Sequence, residues 1–307
     1  MRTTRRAEPS NRCSTLTPSR NADRQPDPVD ERQRPQAWAP ACQRRPSEAI
    51  HLMTPHPQFA VIPAAGRGTR LRPITDAIPK ELVPLGDDVV LGLVLRELID
   101  ADYQEIVVVS DPQKRALNEY VDRFAETVAG IGVEVRLVWQ AGGLGNGHAI
   151  LSAGAAAPGR PLLVVWGDEV FLGSNRAREI TDHYRRTGRT TIALTRVRDD
   201  DVKKCGIALA SEADGHFLVR DLIEKPLPTV TDSRLASVGG YVLSPSALEA
   251  LRCSDPSPDG ELYLSTALTA EARDGRVDGV LLRSAWHEVG SRSGYRAAWR
   301  AVLDQDT

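Results

Sequence analysis

From Phe59 onward, short apolar runs alternate with longer amphipathic segments, and this alternation constrains the fold of the 307-residue chain more than any other feature. The short runs are typical of buried strands, whereas the longer segments carry apolar residues at helical spacing. Strands that alternate with helices predict β–α units around a mostly parallel sheet with helices on both faces. We therefore expect a doubly wound α/β fold, in which the segments after about residue 200 form a smaller substrate-side subdomain on the same sheet. The predicted strands of the first part are 58–63, 105–110, 133–139, 161–166 and 190–195.

Charge and hydropathy exclude several classes of partner. The 39 basic and 41 acidic residues give a formal net charge of -2, so the chain has no net positive charge that would attract nucleic acid. No apolar run approaches the roughly 18 to 20 residues that span a bilayer. Neither nucleic acid nor a membrane is expected as a partner. The scattered cysteines and the lack of a secretory signal pattern predict reduced thiols and a cytoplasmic location. The cysteines are Cys13, Cys42, Cys205 and Cys253.

Residues 1–55 differ in composition from the rest of the chain. They contain ten arginines, no lysine, many prolines and little apolar periodicity. Such a segment buries too little surface to offset the entropy cost of ordering, which predicts a disordered tail. Its arginines would also suit an anionic partner or a transit peptide, but six acidic residues interrupt them. Because Met53 lies just before the first strand, we expect the folded protein, and its true start, to begin near Met53, with the folded domain covering 56–307.

A loop with two glycines, Gly66 and Gly68, follows the first strand directly. Glycines let backbone N–H groups approach phosphate oxygens, and Arg70 can add charge-assisted hydrogen bonds. The same glycines are also typical of a plain β–α turn, and the loop matches neither the Walker loop nor the dinucleotide fingerprint. A few residues later, Lys80 is one of five lysines in the chain and lies between prolines that stiffen the backbone. The lysine ammonium is a compact point charge, and at such a place we expect it to bind a phosphate and not to serve as a solubilising surface residue.

These two segments together resemble the sugar-1-phosphate nucleotidyltransferases, and most closely the bacterial UTP-glucose-1-phosphate uridylyltransferases. The resemblance is carried by Gly-x-Gly-Thr-Arg-Leu-x-Pro over 66–73 and Ala-Ile-Pro-Lys-Glu-Leu-x-Pro-Leu over 77–85, and it continues in order to about residue 300. It implies a Rossmann-like fold of the nucleotide-diphospho-sugar transferase type, with a sugar-side subdomain. It also implies transfer of a uridylyl group from UTP to a sugar 1-phosphate, first of all glucose 1-phosphate, with Mg²⁺ and as a homo-oligomer. The residues that it assigns to the nucleotide phosphates are Ala65, Gly66, Gly68 and Thr69, and those that it assigns to catalysis are Arg70 and Lys80.

The segment 140–149 resembles the part of the family that reads a pyrimidine base. The resemblance makes Gln140 and Gly145 the base readers. A glutamine amide offers one donor and one acceptor, which complement uracil and thymine equally, so dTTP stays open as an alternative to UTP.

An apolar strand over 162–166 leads to Asp168 and Glu169. A carboxylate at the C-terminal end of a parallel strand faces the ligand crevice, and its hard oxygens suit Mg²⁺. The resemblance makes Asp168 a metal ligand, and we expect Glu169 to support it or to lie at the surface. Relatives carry a second aspartate where this chain has Glu288. We assign Glu288 as the second ligand, although its extra methylene moves the carboxylate by about 1.5 Å, which leaves a non-catalytic nucleotide-sugar sensor as an alternative.

The sugar phosphate is assigned to a later part of the chain. Ile-Glu-Lys-Pro over 223–226 resembles the family's sugar-phosphate grip, in which Glu224 binds sugar hydroxyls and Lys225 binds the phosphate. The resemblance adds Gly206 and Gly240 as backbone walls of the sugar pocket. Cys205 stands where the family has an aromatic residue, so an amino-sugar or cyclitol phosphate is an alternative substrate.

Overall fold

The computed structural model describes residues 57–140 and 144–304, so the predicted tail and Met53 lie outside the described residues. Within these residues the chain forms thirteen strands and nine α-helices. The strands are β1 (Phe59–Pro63), β2 (Pro84–Leu85), β3 (Asp88–Val89), β4 (Glu105–Ser110), β5 (Glu134–Trp139), β6 (Leu162–Val164), β7 (Glu169–Leu172), β8 (Thr190–Arg196), β9 (Gly206–Ala213), β10 (His216–Glu224), β11 (Leu235–Leu243), β12 (Val277–Leu281) and β13 (Ala285–Glu288). The helices are α1 (Ile74–Ala77), α2 (Val90–Asp100), α3 (Arg115–Val128), α4 (Gly145–Gly154), α5 (Arg176–Thr187), α6 (Asp199–Val202), α7 (Pro245–Arg252), α8 (Leu264–Arg273) and α9 (Arg292–Leu303).

Nine of these strands form one sheet in the order β5-β4-β1-β6-β11-β8-β12-β10-β9. The first four pair in parallel, as do β8 and β12. β11 is antiparallel to both β6 and β8, and β10 is antiparallel to β12 and β9. The sheet is therefore mixed, not mostly parallel as predicted. The strands after residue 200 extend this same sheet, and a separate smaller subdomain stays a prediction.

Successive side chains of β1 point to opposite faces of the sheet, and each face has its own hydrophobic core. Phe59 and Val61 contact a core that contains residues of α4, α7 and α8. Ala60 and Ile62 contact the opposite core, which contains residues of α2, α3 and α5. All four side chains are completely buried. Helices thus cover both faces, as the predicted α/β class requires.

The central strands also determine where a ligand can bind. The chain runs outward from β1 to β4 and β5, then returns to place β6 on the other side of β1. A parallel sheet opens a crevice beyond the carboxyl ends of its strands where the order reverses in this way. The loop after β1 and the acidic residues after β6 therefore lie at the same edge.

A second, two-stranded sheet closes this edge. β7 pairs antiparallel with β13, and the register places Glu169 opposite Glu288. A third apolar cluster, which contains Val170, Val289 and Ala298, packs this two-stranded sheet against α9. Neither β7 nor β13 was predicted from the sequence. Their pairing brings Glu288 to the crevice. No helix of the described residues is long and apolar enough to cross a bilayer.

Candidate active site

A cavity of about 1280 Å³ opens at the carboxyl edge of β1 and β6. This volume exceeds the usual few hundred to 1,000 Å³ of a single small-molecule site, so it has room for two substrates. Gly68, Thr69 and Gly240 do not belong to its wall. The wall contains the other predicted site residues: Ala65, Gly66, Arg70, Lys80, Gln140, Gly145, Asp168, Gly206, Glu224, Lys225 and Glu288.

The glycine loop is shaped to pass close to Lys80. Gly68 has a left-handed backbone, with φ of 66°, and its carbonyl accepts a hydrogen bond of 2.7 Å from Thr75 Oγ1. A methyl group on Gly68 would lie 3.2 Å from Lys80 Cβ. Gly66 faces Lys80 Nζ, which would be 3.8 Å from a methyl group there. Gly68 therefore shapes the loop, while Gly66 leaves open space between its backbone and the lysine.

A buried ion pair holds the loop and Lys80 in place. The side chain of Glu81 is fully buried, and Lys114 Nζ donates to both of its carboxylate oxygens at 3.0 Å. The same ammonium donates to the Ala64 carbonyl at 2.6 Å. Because Glu81 follows Lys80 in one short 3₁₀ turn, Glu81 anchors the turn and Lys80 projects into the cavity.

Lys80 and Asp168 form the charged centre of the cavity. Lys80 Nζ lies 2.7 Å from Asp168 Oδ2, and both side chains are largely buried. Burial alone would lower the pKa of Lys80, but the carboxylates of Asp168 and Glu81 raise it above its usual value. Burial would raise the pKa of Asp168, but Lys80 and Arg70 hold it below its usual value. Both groups are therefore charged at neutral pH.

Asp168 and Glu288 converge on one point beside Gly290. A methyl group on Gly290 would lie 2.5 Å from Asp168 Oδ2 and 2.7 Å from Glu288 Oε1. Ser291 Oγ donates to Glu288 Oε2 at 2.8 Å and fixes the carboxylate. Arg70 Nη2 lies 3.0 Å from Glu288 Oε1, while the Arg70 side chain is 68% exposed at the rim. Two hard oxygen donors thus share a space that only a glycine leaves free, which fits a small divalent cation.

Glu169 is buried, so the predicted alternative of a surface position is wrong. Its Oε2 accepts hydrogen bonds of 2.8 Å from Gly239 N–H and from Trp286 Nε1–H. Burial and the neighbouring Asp168 carboxylate raise the pKa of Glu169 to about 7, against a usual value of 4.5. The carboxyl group lines the cavity wall next to Asp168 and supports the strand that carries Gly239.

The raised pKa predicts how Glu169→Gln changes stability with pH. The native state binds the Glu169 proton more tightly than the unfolded chain, so its contribution to stability is complete below about pH 4.5 and is lost as pH rises through about 7. The amide in Glu169→Gln cannot ionise. We expect the free energy of unfolding of the variant, relative to wild type, to rise by about 2–3 kcal/mol between about pH 5 and pH 8, measured by urea unfolding.

The matched control is Glu249→Gln, which changes a partly exposed glutamate on α7. The change that this exposed side chain shows between the two pH values is subtracted from that of Glu169→Gln. A change in Glu169→Gln no larger than in the control would contradict the assignment of the raised pKa to this side chain.

The proposed base end of the cavity is built on close backbone contacts. Gln140 Nε2 donates to the Gly145 carbonyl at 2.9 Å. Gly145 has a φ of 81°, and a methyl group there would lie 2.3 Å from the Leu262 carbonyl oxygen. Gly147 N–H donates to that same oxygen at 2.8 Å. Only glycine fits at position 145, while residues 141–143 of the predicted segment lie outside the described part.

The proposed sugar end is a cross-strand pair followed by a tight turn. The register of β9 and β10 places Gly206 directly opposite Glu224, and a methyl group on Gly206 would lie 3.3 Å from Glu224 Oε2. Lys225 has a left-handed φ of 45°, unusual for a residue with a side chain. Its N–H donates to the Cys205 carbonyl at 3.0 Å, and its Nζ lies 3.3 Å from Glu224 Oε1. The turn thus keeps both charged groups at the cavity.

Two sugar-side predictions differ from the structure. Gly240 packs away from the cavity, and a methyl group there would lie 3.0 Å from Arg176 Cδ. Its neighbour Gly239 is the residue whose N–H binds the wall residue Glu169. Cys205 packs against the core and is not part of the cavity wall, so its thiol does not replace an aromatic wall residue.

Some wall residues were not predicted from the sequence. Trp166 and Tyr241 pack with ring centroids 5.5 Å apart, and both line the cavity. Trp166 directly precedes the Gly-Asp-Glu segment, and this position could have indicated that it lines the cavity. For Tyr241 there was no such indication in the sequence beyond its place on a predicted strand.

Most of the chain matches a known protein family and curated relatives. Residues 59–305 match the family described as "Nucleotidyl transferase". The chain is 30% identical over 254 residues to the UTP-glucose-1-phosphate uridylyltransferase YngB of Bacillus subtilis strain 168, which covers 76% of this chain and 86% of that protein. It is also 30% identical over 266 residues to a protein of the same activity name from Streptococcus pneumoniae serotype 4, covering 79% and 89%.

Solved structures give the same result for the fold. A UDP-glucose pyrophosphorylase complexed with UDP-glucose superposes with a TM-score of 0.74 at 26% identity, over 81% of this chain and 99% of that one. This likeness confirms the Rossmann-like α/β class. The family match also spans every predicted site residue, from Ala65 to Glu288. The chain therefore belongs to the nucleotidyl transferase family and is a nucleotidyltransferase enzyme.

Proposed function

We propose that this enzyme transfers a uridylyl group from UTP to glucose 1-phosphate and releases pyrophosphate. The observation that carries the proposal is a single cavity with three chemically distinct parts. Gln140 and Gly145 lie at one part, Glu224 and Lys225 lie at another, and the Lys80–Asp168 pair lies in the same wall. The activity names of the two curated relatives supply the substrates.

The orientation of Gln140 supports a pyrimidine nucleotide. Since its Nε2 donates to the Gly145 carbonyl, its Oε1 is the atom that can accept a hydrogen bond from a ligand. The N3–H of uracil is such a donor, whereas unprotonated cytosine has no N–H at that position. Thymine offers the same N3–H, so dTTP is the alternative nucleotide.

Asp168 and Glu288 are the residues that would hold Mg²⁺. Their oxygens converge beside Gly290, and Mg²⁺ prefers such carboxylates together with substrate phosphates. When bound there, Mg²⁺ would supply charge neutralisation and orientation for the phosphates of both substrates. Glu288 Oε1 reaches this point although glutamate is longer than the aspartate of the family motif, and Ser291 Oγ binds the other carboxylate oxygen. The departure at Glu288 therefore does not by itself argue for a non-catalytic sensor.

The chain's own residues account for the remaining chemistry. An oxygen of the sugar phosphate attacks the α-phosphorus of UTP, and the bond from that phosphorus to pyrophosphate breaks. No general base is needed, since the attacking oxygen is already anionic. The N–H groups of Ala65 and Gly66 bind nucleotide phosphate, and Arg70 and Lys80 stabilise charge on the reacting and leaving phosphates.

On the sugar side, Glu224 binds the sugar hydroxyls and Lys225 binds the phosphate. Gly206, which has no side chain, lets the sugar approach the backbone. We assign the later strands that carry these residues to a sugar-side subdomain.

Pyrophosphate release tests the proposal directly. The purified full chain is assayed with Mg²⁺ and each of UTP, dTTP, ATP, GTP and CTP against a panel of sugar 1-phosphates headed by glucose 1-phosphate. Rapid release with UTP and glucose 1-phosphate is expected, and chelation of Mg²⁺ should abolish it. Release with only a different pair would replace the proposed substrates. Nucleotide binding without release from any pair would contradict the proposed reaction and favour a sensor.

A further inference from the structure

Away from the cavity, two histidines and one aspartate converge between a helix and the sheet. His183 lies on α5, His216 begins β10, and Asp278 lies on β12. One nitrogen or oxygen of each lies within 4.8 Å of those of the other two. None of the three lines the substrate cavity.

The contacts within this cluster are only partly hydrogen bonds. His183 Nε2 lies 2.9 Å from Asp278 Oδ2, a normal hydrogen-bond distance. His216 Nε2 lies 3.9 Å from the same oxygen, which is too long for a hydrogen bond. The two imidazole rings have centroids 4.9 Å apart. A second imidazole is thus held beside the carboxylate without a direct bond to it.

Arg189 holds the carboxylate in this orientation. Its Nε donates to Asp278 Oδ1 at 2.8 Å, on the side away from the histidines. Burial opposes ionisation of Asp278, yet the hydrogen bonds from His183 and Arg189 keep its pKa below the usual value. A carboxylate fixed by an outer partner through one oxygen, with the other facing imidazoles, is the arrangement common among metal ligands.

The sheet places this cluster at the edge opposite to the substrates. Val277 of β12 is in register with Thr190, the first residue of β8. Because β11 is antiparallel to both β6 and β8, these two strands run in the same direction. The cluster therefore lies near the starts of strands, whereas the cavity lies beyond the ends of β1 and β6. The cluster is thus separate from the cavity that contains the proposed substrate sites.

We propose that His183, His216 and Asp278 form a binding site for a divalent transition cation of the zinc class. Bond lengths of 2.0–2.2 Å place tetrahedral ligand atoms about 3.3 Å apart, and the two observed separations, 2.9 and 3.9 Å, bracket this value. The side chain of His216 is 23% exposed, so a water molecule can complete the coordination. Two imidazoles select Zn²⁺ and its neighbours over Mg²⁺, which prefers oxygen ligands.

Such a site would join three elements that are distant in sequence. The cation would replace the proton in the His183–Asp278 hydrogen bond and tie α5 to β10 and β12. Because the unfolded chain does not bring these residues together, the cation binds the folded state and stabilises it. The midpoint of thermal unfolding, Tm, should therefore rise with the concentration of free Zn²⁺.

The test uses the full chain, stripped with a chelator and returned to buffer with excess Mg²⁺ to occupy carboxylate sites. Calorimetric titration with Zn²⁺ should give one equivalent of tight binding, and Co²⁺ should give the intense visible absorption of a tetrahedral complex. His216→Gln changes the most exposed ligand and should weaken Zn²⁺ binding at least about 100-fold, since even loss of an outer partner costs about 10–100-fold. The rise of Tm with Zn²⁺ should disappear in this variant.

The matched control is His148→Gln, which changes a histidine on α4 and should bind Zn²⁺ like wild type. Equal Zn²⁺ affinity in wild type and His216→Gln would overturn the proposal, as would weak octahedral Co²⁺ absorption. None of these readouts depends on turnover, so the site can fail while the uridylyl transfer stands, and the reverse.

Discussion

Lys80→Ala should lower turnover about 10³-fold while the KM for glucose 1-phosphate changes little. Lys80 Nζ lies at the loop that would hold the nucleotide phosphates and is the ammonium closest to Asp168. Removing one preorganised donor from a reacting oxyanion costs about 10²–10³-fold in kcat, and Lys80 also carries a full charge. The sugar phosphate has its own contacts at Glu224 and Lys225, so its ground-state binding does not depend on Lys80. Initial rates of pyrophosphate release at saturating UTP measure the effect.

Folding has to be separated from catalysis in this experiment. Removing Lys80 leaves the buried Asp168 carboxylate without its partner, which costs stability. Lys80→Met keeps the apolar stem, and its thermal unfolding shows whether the fold is intact. Lys203→Ala removes an exposed lysine from the same chain and should leave turnover unchanged. A wild-type rate in Lys80→Ala would refute the assigned role.

Gly290→Ala should reduce turnover at least about 10²-fold by closing the space between the two carboxylates. The added methyl group would lie 2.5 Å from Asp168 Oδ2 and 2.7 Å from Glu288 Oε1, so the two side chains must separate. If Asp168 and Glu288 hold Mg²⁺ as proposed, its loss would remove several kcal/mol of charge stabilisation, which corresponds to this fall in rate. We expect weaker Mn²⁺ binding, measured by electron paramagnetic resonance of the free ion, and partial rescue of turnover by excess Mg²⁺.

Gly130→Ala is the matched control, because a methyl group there meets nothing within 4 Å. Neither glycine has a left-handed φ, so neither change strains the backbone. Wild-type Mn²⁺ affinity in Gly290→Ala would show that Asp168 and Glu288 do not hold the cation together.

Much of the nucleotide side follows from the sequence because it depends on local order. The loop after β1 and Asp168 after β6 each follow a buried apolar run, and parallel strands bring their carboxyl ends to one edge. The strand predicted over 105–110 agrees with β4 at both ends. Periodicity predicted these strands, whereas the roles of the loop residues and of Asp168 were implied by the family resemblance.

The rest depends on long-range pairing that no local pattern reveals. β7 and β13 have four residues each, too few to show alternation, yet their register places Glu288 opposite Glu169. β11 contains two consecutive glycines, Gly239 and Gly240, and only Gly239 faces Glu169 in the cavity wall. The register of β11 is irregular between Val238 and Tyr241, which no sequence pattern reveals. The direction of the Glu169 side chain depends on Trp286, 117 residues away along the chain. The antiparallel insertion of β11 was missed because its apolar run looks the same in either direction.

That insertion also has a consequence during synthesis on the ribosome. β6 gains its second neighbour only when β11 has been made, roughly 80 residues later along the chain. At about 5–20 residues per second, the nascent chain carries an open, wholly apolar strand edge for about 4–16 s. Unpaired edges of this kind pair readily with other chains. The order of strands in this sheet thus sets a time window in which nascent-chain chaperones have the most to protect.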